Sequence, residues 1–272
     1  MPFDKLVRFE LDGRACYGNL IDTSGNEFKV TKLIGGLEEG FSADGDEVII
    51  VSKLLCPLER TPIIQCVGVN YRRHATEAKL TVPAYPVIFS KPPATLAGPH
   101  DSIPIHLSCQ EKLDYEGELC VIIGRDAKNV SSSNALDYVL GYTAGNDISA
   151  RFFQLPENAG GQYGYAKSFD NFAPIGPAIW SQESVGDPQK LRLVTRVNGE
   201  VRQETGCDDM IWSVRQIVEH LSRGTTLRAG TVIMAGTPEG VGFFSKRFLK
   251  DGDVVEIEIK GLGKIENKMV FE

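Results

Sequence analysis

The chain has 272 residues, of which 42% are hydrophobic and 24% charged, a composition typical of a folded protein with a packed core. Its net charge of -7 argues against a nucleic-acid partner, because phosphate binding needs clustered Lys and Arg. No apolar stretch approaches the roughly 20 residues that span a bilayer, and the first residues resemble no targeting segment. We therefore expect a cytoplasmic protein without membrane contact.

The cysteines and histidines argue against a zinc site. The six cysteines are scattered without a C-x-x-C pair, and none of the four histidines lies four residues from another. Zinc sites usually show cysteine and histidine at such spacings. We therefore expect free, mostly buried thiols, and any metal should be held by carboxylates.

The chain begins with a predicted small β unit over residues 1–58. Alternating apolar positions flank Asp12 and Gly13, a dipeptide that favours a tight hairpin. A short connection at 56–62 leads into a larger predicted domain over residues 59–272. The predicted strands of this second domain cover residues 63–69, 86–90, 115–123, 174–180, 192–198, 231–236 and 253–260.

Helical patterns are few. The clearest covers residues 209–223, where apolar residues recur at helical spacing between Asp208 as a start and Gly224 as an end. A shorter helix follows the serines at 131–133, and the glycine-rich stretch 155–165 is predicted to be a mobile loop. Because strands and helices do not alternate regularly, the sequence predicts a mainly β protein with some α.

Two glutamates lie two residues apart at the start of the predicted strand 115–123. On strand alternation, Glu116 and Glu118 share a face with Cys120 and Ile122, so two carboxylates head a face that soon becomes apolar. Asp147 supplies a further hard oxygen. Buried carboxylates need a compensating cation, and Mg²⁺ or Mn²⁺ would provide it. The alternative is a solvated strand face with an unrelated aspartate in a turn.

Polar residues that could contact a substrate follow these acids. Arg151 and Gln154 come four and seven residues after Asp147, so a helical turn there would place the three side chains on one side. Lys167 and Lys91 lie in largely apolar stretches, and either could hold an enolate or a carboxylate. The alternatives are a structural salt bridge for Arg151 and solvated positions for the lysines.

Two further segments could carry chemistry. His74 and Glu77 are three residues apart, so a helix would bring them together, and a carboxylate that orients an imidazole can make it a general base. A surface histidine paired with a glutamate is the alternative. The stretch AGTPEGVG at 235–242 is typical of an anion-binding turn in which Thr237 donates its hydroxyl, although it equally suits a plain loop.

Eight segments, in order, resemble the fumarylacetoacetate hydrolase superfamily over about residues 60–270. The resemblance is closest to shorter members related to acylpyruvases, oxaloacetate decarboxylases and oxaloacetate tautomerases. It implies a mixed β-sandwich roll preceded by a small N-terminal β domain, usually in a homodimer. The matching segments are CVGVNYRRHATEA, PVIFSKPPATLAGP, LDYEGELCVIIGR, GYTAGNDISARFFQ, YAKSFDNFAPIGP, RVNGEVRQ, VIMAGTPEGVG and LKDGDVVEIEIKGLG.

The resemblance also implies roles for individual residues. It implies a bound metal as well, either Mg²⁺ or Mn²⁺, which Ca²⁺ could replace in a crystal. Two departures from the family pattern are the pair Phe152 and Phe153, which alters the pocket wall, and Arg72 with Arg73, which could recruit an anionic group. The implied metal ligands are Glu116, Glu118 and Asp147; the catalytic residues are His74, Glu77 and Lys167; the substrate-binding residues are Arg151, Gln154, Thr237 and Lys91.

The reaction implied by the resemblance passes through an enolate of a 1,3-dicarbonyl or 2-oxo acid, held by the metal. Our main prediction from sequence is hydrolytic cleavage of a C–C bond, as in acylpyruvases and fumarylacetoacetate hydrolases. The alternative is an oxaloacetate decarboxylase or keto–enol tautomerase. A non-catalytic scaffold is a third interpretation, disfavoured because every expected catalytic position is filled.

Overall fold

The computed structural model describes residues 1–25 and 27–272. Strands dominate it, as the sequence predicts. In chain order they are β1 (Lys5–Leu11), β2 (Arg14–Ser24), β3 (Glu27–Gly36), β4 (Gly40–Val51), β5 (Leu54–Leu55), β6 (Ile64–Gly68), β7 (Val87–Lys91), β8 (Leu96–Ala97), β9 (Ile103–Ile105), β10 (Leu113–Asp114), β11 (Gly117–Ile123), β12 (Ala127–Lys128), β13 (Val139–Asn146), β14 (Ser149–Ala150), β15 (Ala173–Ser181), β16 (Arg192–Val197), β17 (Glu200–Gly206), β18 (Thr226–Leu227), β19 (Val232–Met234), β20 (Val254–Ile259) and β21 (Gly263–Phe271).

The helices of the described residues are short. The α-helices are α1 (Arg72–Glu77), α2 (Pro156–Ala159), α3 (Gln182–Val185), α4 (Val214–Ser222) and α5 (Gly242–Ser245). The 3-10 turns are Pro93–Thr95, Leu107–Cys109, Ser132–Tyr138, Arg151–Gln154, Tyr165–Lys167, Pro188–Lys190 and Cys207–Asp209. The turn Ser132–Tyr138 is the short helix predicted after the serines.

Two sheets pack face to face, which confirms the predicted mainly β sandwich. The larger follows the order β4-β3-β2-β1-β15-β13-β11-β19-β6-β7, with β5 against β1 and β8 against β15. The smaller follows β17-β16-β20-β21-β9. Alternate residues of β11 contribute to different cores: Leu119 and Val121 face the smaller sheet, whereas Cys120 and Ile122 pack on the opposite side. This is the alternation predicted for residues 115–123, of which β11 covers Gly117–Ile123.

The N-terminal strands extend the larger sheet. β1 pairs with β15 through Lys5 and Trp180, so hydrogen bonding runs across the predicted boundary at residue 58. The predicted hairpin is confirmed, since Asp12 and Gly13 have φ of 52° and 73° and join β1 to β2. The division into units of 1–58 and 59–272 stays a prediction.

One helix prediction was wrong in its extent. Residues 209–223 contain α4 only from Val214, because Ser213 is the N-cap and forms a capping box with Gln216. Asp208 lies instead in the preceding 3-10 turn, and Met210 is extended and bridges Tyr71. Periodicity alone did not separate the apolar residues that precede the cap from those within the helix.

The cysteines of the structure are all free, and four of the six are buried. This confirms the predicted thiol state. None of the helices in the described residues is long and apolar enough to cross a membrane.

Candidate active site

Three carboxylates meet where β11 and β13 pair. Glu116 precedes β11, Glu118 lies within it, and Asp147 follows β13, with Gly117 opposite Asn146 in the ladder. One oxygen of each carboxylate lies within 4.8 Å of the others, and all three residues are buried. The backbone N–H of Asp147 donates to the Glu116 carbonyl at 2.9 Å, which fixes the two segments together. The structure therefore brings together the three acids that the sequence singled out, and their role as metal ligands stays a prediction.

The glycine between the two glutamates is required by packing. A Cβ at Gly117 would collide with the hydroxyl of Thr195 on the smaller sheet. Its backbone N–H donates to Gln203 Oε1 at 3.0 Å, and Gln203 Nε2 donates to the hydroxyl of Thr237 at 2.9 Å. The smaller sheet thus supports the strand that presents the carboxylates.

Lys167 lies among these acids. Its ammonium donates to Glu116 Oε2 at 2.8 Å, Asp147 Oδ2 at 2.6 Å and Ser149 Oγ at 2.8 Å. Burial would lower the pKa of Lys167, but Asp147 and Glu116 outweigh it and hold the pKa above its usual value. The ring of Phe89 lies 5.1 Å from Nζ. Lys167 is therefore a fixed positive charge.

The three carboxylates differ in how far nearby lysine and arginine side chains neutralise their negative charge. Burial would raise the pKa of Glu116, but Lys167 and Arg151 lower it to about 2. Glu118 accepts a hydrogen bond from the backbone N–H of Gly236 at 2.7 Å, and it forms no salt bridge with any cation of residues 1–25 and 27–272. Burial, followed by the charges of Asp147 and Glu116, raises its pKa well above the usual value. Hard oxygen donors with excess negative charge fit Mg²⁺, Mn²⁺ or Ca²⁺.

Arg151 and Gln154 lie together on the 3-10 turn that follows β14. Arg151 Nη1 donates to Gln154 Oε1 at 2.8 Å, and Nη2 lies 2.5 Å from Glu116 Oε1. Arg151 Nε donates to Asp114 Oδ2 at 2.8 Å. Sequence reasoning missed Asp114, although strand alternation places it two residues before Glu116 and four before Glu118, on their face.

Lys91 is fully buried behind Asp147. Its Nζ donates to Asp147 Oδ1 at 2.5 Å and to the carbonyls of Phe172 at 2.6 Å and Ile148 at 3.3 Å. All three ammonium donors therefore have protein acceptors. This favours charge balance at Asp147 over the substrate contact that the sequence predicted.

His74 and Glu77 are brought together on α1. His74 Nδ1 lies 3.3 Å from Glu77 Oε2, and the Glu77 carboxylate also accepts from the Gly240 N–H at 3.2 Å. A proton on Nδ1, assigned from this contact, leaves Nε2 as the basic nitrogen. Arg72, which the sequence offered as an anion-binding residue, donates instead to the carbonyls of Asp209 and Met210.

A cavity of about 350 Å³ joins these groups. Leu80, Leu155 and Phe244 contribute to its apolar walls. The residues predicted from sequence that line the cavity are His74, Glu116, Glu118, Arg151, Gln154, Lys167 and Thr237. The glycine-rich stretch 155–165 supplies Leu155, Pro156 and Tyr163 to the wall, and α2 begins within it.

The sequence family described as fumarylacetoacetate (FAA) hydrolase, C-terminal, matches residues 63–270. The chain belongs to the fumarylacetoacetate hydrolase family. Oxaloacetate tautomerase YisK of Bacillus subtilis is 40% identical over 222 residues, which are 80% of this chain and 73% of the relative. The mitochondrial oxaloacetate tautomerase FAHD2A of Homo sapiens is 41% identical over 218 residues, 79% of this chain and 69% of the relative.

The fold of this fumarylacetoacetate hydrolase family member agrees with solved structures. The crystal structure of 2-hydroxyhepta-2,4-diene-1,7-dioate isomerase from Mycobacterium marinum matches with a TM-score of 0.84 and 34% identity. The match covers 98% of each chain, so it includes the N-terminal strands as well as the region of the carboxylates.

Proposed function

We propose that the protein is a keto–enol tautomerase of oxaloacetate or a closely related 2-oxo acid, dependent on a divalent metal. The observation that carries the proposal is that one cavity holds an imidazole backed by a carboxylate together with a buried, permanently charged lysine. A proton shift between carbon and oxygen needs a base for the carbon and a positive charge for the oxygen.

The metal ligands in this proposal are Glu116, Glu118 and Asp147. These carboxylates would hold Mg²⁺ or Mn²⁺, and the ion would supply Lewis-acid chemistry toward a 2-oxo group. The uneven charge compensation of the three acids supports the assignment, because Glu118 has no lysine or arginine partner among the described residues and its raised pKa shows that its ionised form lacks a compensating cation.

The protein's side chains divide the remaining work. Arg151 and Gln154 bind the substrate carboxylate, and Thr237 borders the same cavity. Lys167 stabilises negative charge as it develops on the C2 oxygen. His74 Nε2 takes a proton from C3 and returns it to that oxygen, while Glu77 holds the imidazole in the required tautomer. The reverse transfer converts the enol to the keto form, and no other reactant is consumed.

This proposal replaces hydrolysis as the preferred reaction. Two relatives with 40% and 41% identity are named oxaloacetate tautomerases, and the neighbour with 34% identity is named an isomerase. Hydrolysis requires His74 to activate a water molecule, whereas tautomerisation requires only that His74 transfer a proton between carbon and oxygen. The same pair of side chains suffices for the simpler reaction.

The test follows exchange at C3 of oxaloacetate in D₂O by NMR, with Mg²⁺ present, beside the ultraviolet absorbance of the enol. The parent should accelerate both, and His74→Gln should lower the rate on the order of 10²- to 10⁴-fold, since it removes the base. His106→Gln is the matched control, because His106 is an exposed histidine outside the cavity.

Three experimental outcomes would contradict the proposal. Pyruvate with CO₂ as the fast products from oxaloacetate would indicate a decarboxylase. A carboxylic acid released from an acylpyruvate, without catalysed C3 exchange in oxaloacetate, would restore the hydrolase interpretation. Exchange at C3 that is unaffected by His74→Gln would remove the proposed base.

A further inference from the structure

Asp114 joins several segments of the site but lies outside the cavity lining. It belongs to β10, where it pairs with Ser149 of β14, and its side chain is completely buried. Oδ1 accepts from the backbone N–H groups of Tyr115 at 2.9 Å and Gly242 at 2.7 Å. Oδ2 accepts from Arg151 Nε at 2.8 Å and the N–H of Phe243 at 2.9 Å. Each carboxylate oxygen therefore serves two donors.

The guanidinium of Arg151 contacts acceptors on all three of its nitrogens. The guanidinium has three side-chain partners, and two of them, Glu116 and Gln154, line the cavity themselves. Asp114 is the partner behind the guanidinium, on its Nε. A planar fork held on Nε by a charged acceptor keeps its Nη atoms aimed in a fixed direction.

The same carboxylate anchors a cavity wall. Gly242 and Phe243 begin α5, and Phe243 and Phe244 both line the cavity. The approach is close, because a Cβ at Gly242 would lie 2.5 Å from Asp114 Oδ1. Asparagine cannot replace the aspartate in this arrangement, since its NH₂ group would face two N–H donors in either orientation.

We propose that Asp114 is a positioning residue that locks the guanidinium of Arg151 and the Phe243 wall in one arrangement and thereby sets the affinity for the carboxylate of a 2-oxo acid. The substrate part rests on the proposed function, in which Arg151 binds that carboxylate. The positioning part concerns the protein alone.

The test combines Asp114→Asn, Arg151→Lys and the double variant. Asp114→Asn should raise the KM for oxaloacetate, and the Kd for oxalate with Mg²⁺, by about 10- to 100-fold, the usual loss for a hydrogen bond to a charged group. The kcat should change by less than about threefold, because the groups that move the proton stay in place. In the Arg151→Lys background, Asp114→Asn should add clearly less than it does in the parent, because only its support of the Phe243 wall is then left to lose.

A second measurement uses NMR to follow how firmly the Arg151 guanidinium is held, without any catalysed reaction. In protein labelled with ¹⁵N-arginine, the Nε–H signal that is missing in Arg151→Lys should exchange slowly in the parent and rapidly in Asp114→Asn. Rapid exchange in the parent would overturn the positioning role, even if Asp114→Asn failed to fold. Asp253→Asn is the matched control, because Asp253 also accepts hydrogen bonds from a backbone N–H and a side chain but lies away from the cavity.

The outcomes distinguish this inference from the proposed function. A parent that leaves oxaloacetate unchanged but binds oxalate refutes the tautomerase, while the oxalate affinities and the Nε–H exchange still decide the role of Asp114. A parent without oxalate affinity overturns the substrate part. Equal KM effects of Asp114→Asn in the parent and in Arg151→Lys would show that Asp114 does not act through Arg151.

Discussion

Glu118 is the member of the acidic cluster that tests the metal assignment most directly. Glu118→Gln keeps the size of the side chain and removes one charge from a hard-cation site. We expect Mg²⁺ affinity to fall at least about 10- to 100-fold, the loss often seen even for residues that only support a ligand. Titration calorimetry measures it. Glu266→Gln, at an exposed position of β21, is the control, and equal affinity in both variants would exclude Glu118 as a ligand.

Lys167 should affect metal binding and turnover in opposite directions. Lys167→Met removes an ammonium that pairs with Glu116 and Asp147, so Mg²⁺ should bind as tightly or more tightly. The rate of C3 exchange should nevertheless fall about 10²- to 10³-fold, because the developing oxyanion loses a fixed charge. The two assays are calorimetry and NMR, with the exposed Lys260→Met as control. Weaker metal binding with normal turnover would contradict this role.

Among the elements, the strands could be predicted better than the helices. Period-two alternation in β11 identified both its faces, since its apolar side chains pack alternately into two separate cores. The start of α4 could not be placed in the same way. Met210 and Ile211 fit the helical period, but their backbone pairs with the segment before α1. Met210 forms a β-bridge with Tyr71, and the Ile211 N–H donates to the Asn70 carbonyl at 2.7 Å. A long-range hydrogen bond overrode local propensity.

The capping box of α4 yields an element-scale prediction. Ser213→Ala removes the acceptor for the Gln216 N–H and should lower the free energy of unfolding by about 1 kcal/mol. Urea denaturation measures the loss. Ser131→Ala is the matched control, because Ser131 caps the turn Ser132–Tyr138 without a side-chain hydrogen bond to its backbone. Equal losses in the two variants would remove the special role of Ser213.

At the scale of the whole molecule, the N-terminal strands and the site region share one sheet. The chain has two tryptophans: Trp180 lies on β15 where β1 joins, and Trp212 lies beside Asn70 near α1. In Trp212→Phe the fluorescence comes from Trp180 alone, and in Trp180→Phe it comes from Trp212 alone. We expect the two fluorescence transitions to have the same urea midpoint, after correction for the change in stability that each substitution itself causes. Far-ultraviolet circular dichroism of each variant supplies that correction.

A contrary outcome would be an earlier transition reported by Trp180 alone, which would mean that residues 1–58 unfold as a separate unit.

Deletion of residues 1–58 should likewise leave the chain unable to fold stably, since β15 would lose β1 and the core that packs Val7 and Phe9 against Ala178. The homodimer implied by the family resemblance stays a prediction, and analytical ultracentrifugation of the parent measures it.

The sequence by itself determined the mainly β class, the hairpin at Asp12 and Gly13, and the shared face of Glu116 and Glu118, whereas Asp147 joins the two glutamates only through the pairing of β11 with β13. The first three rest on local rules, namely alternation along a strand and turn preference. These features survive folding because they depend on neighbours a few residues away.

Only the tertiary structure decided the partners of each charge. Lys91 and Lys167 looked alike in the sequence, yet Lys91 lies fully buried behind Asp147 while Lys167 lines the cavity. Asp114 carried no signal beyond its alternation with the glutamates until folding placed it against Arg151 and Gly242. Pairing inside a core is set by which strands become neighbours, and burial then makes an unpaired charge too costly to leave.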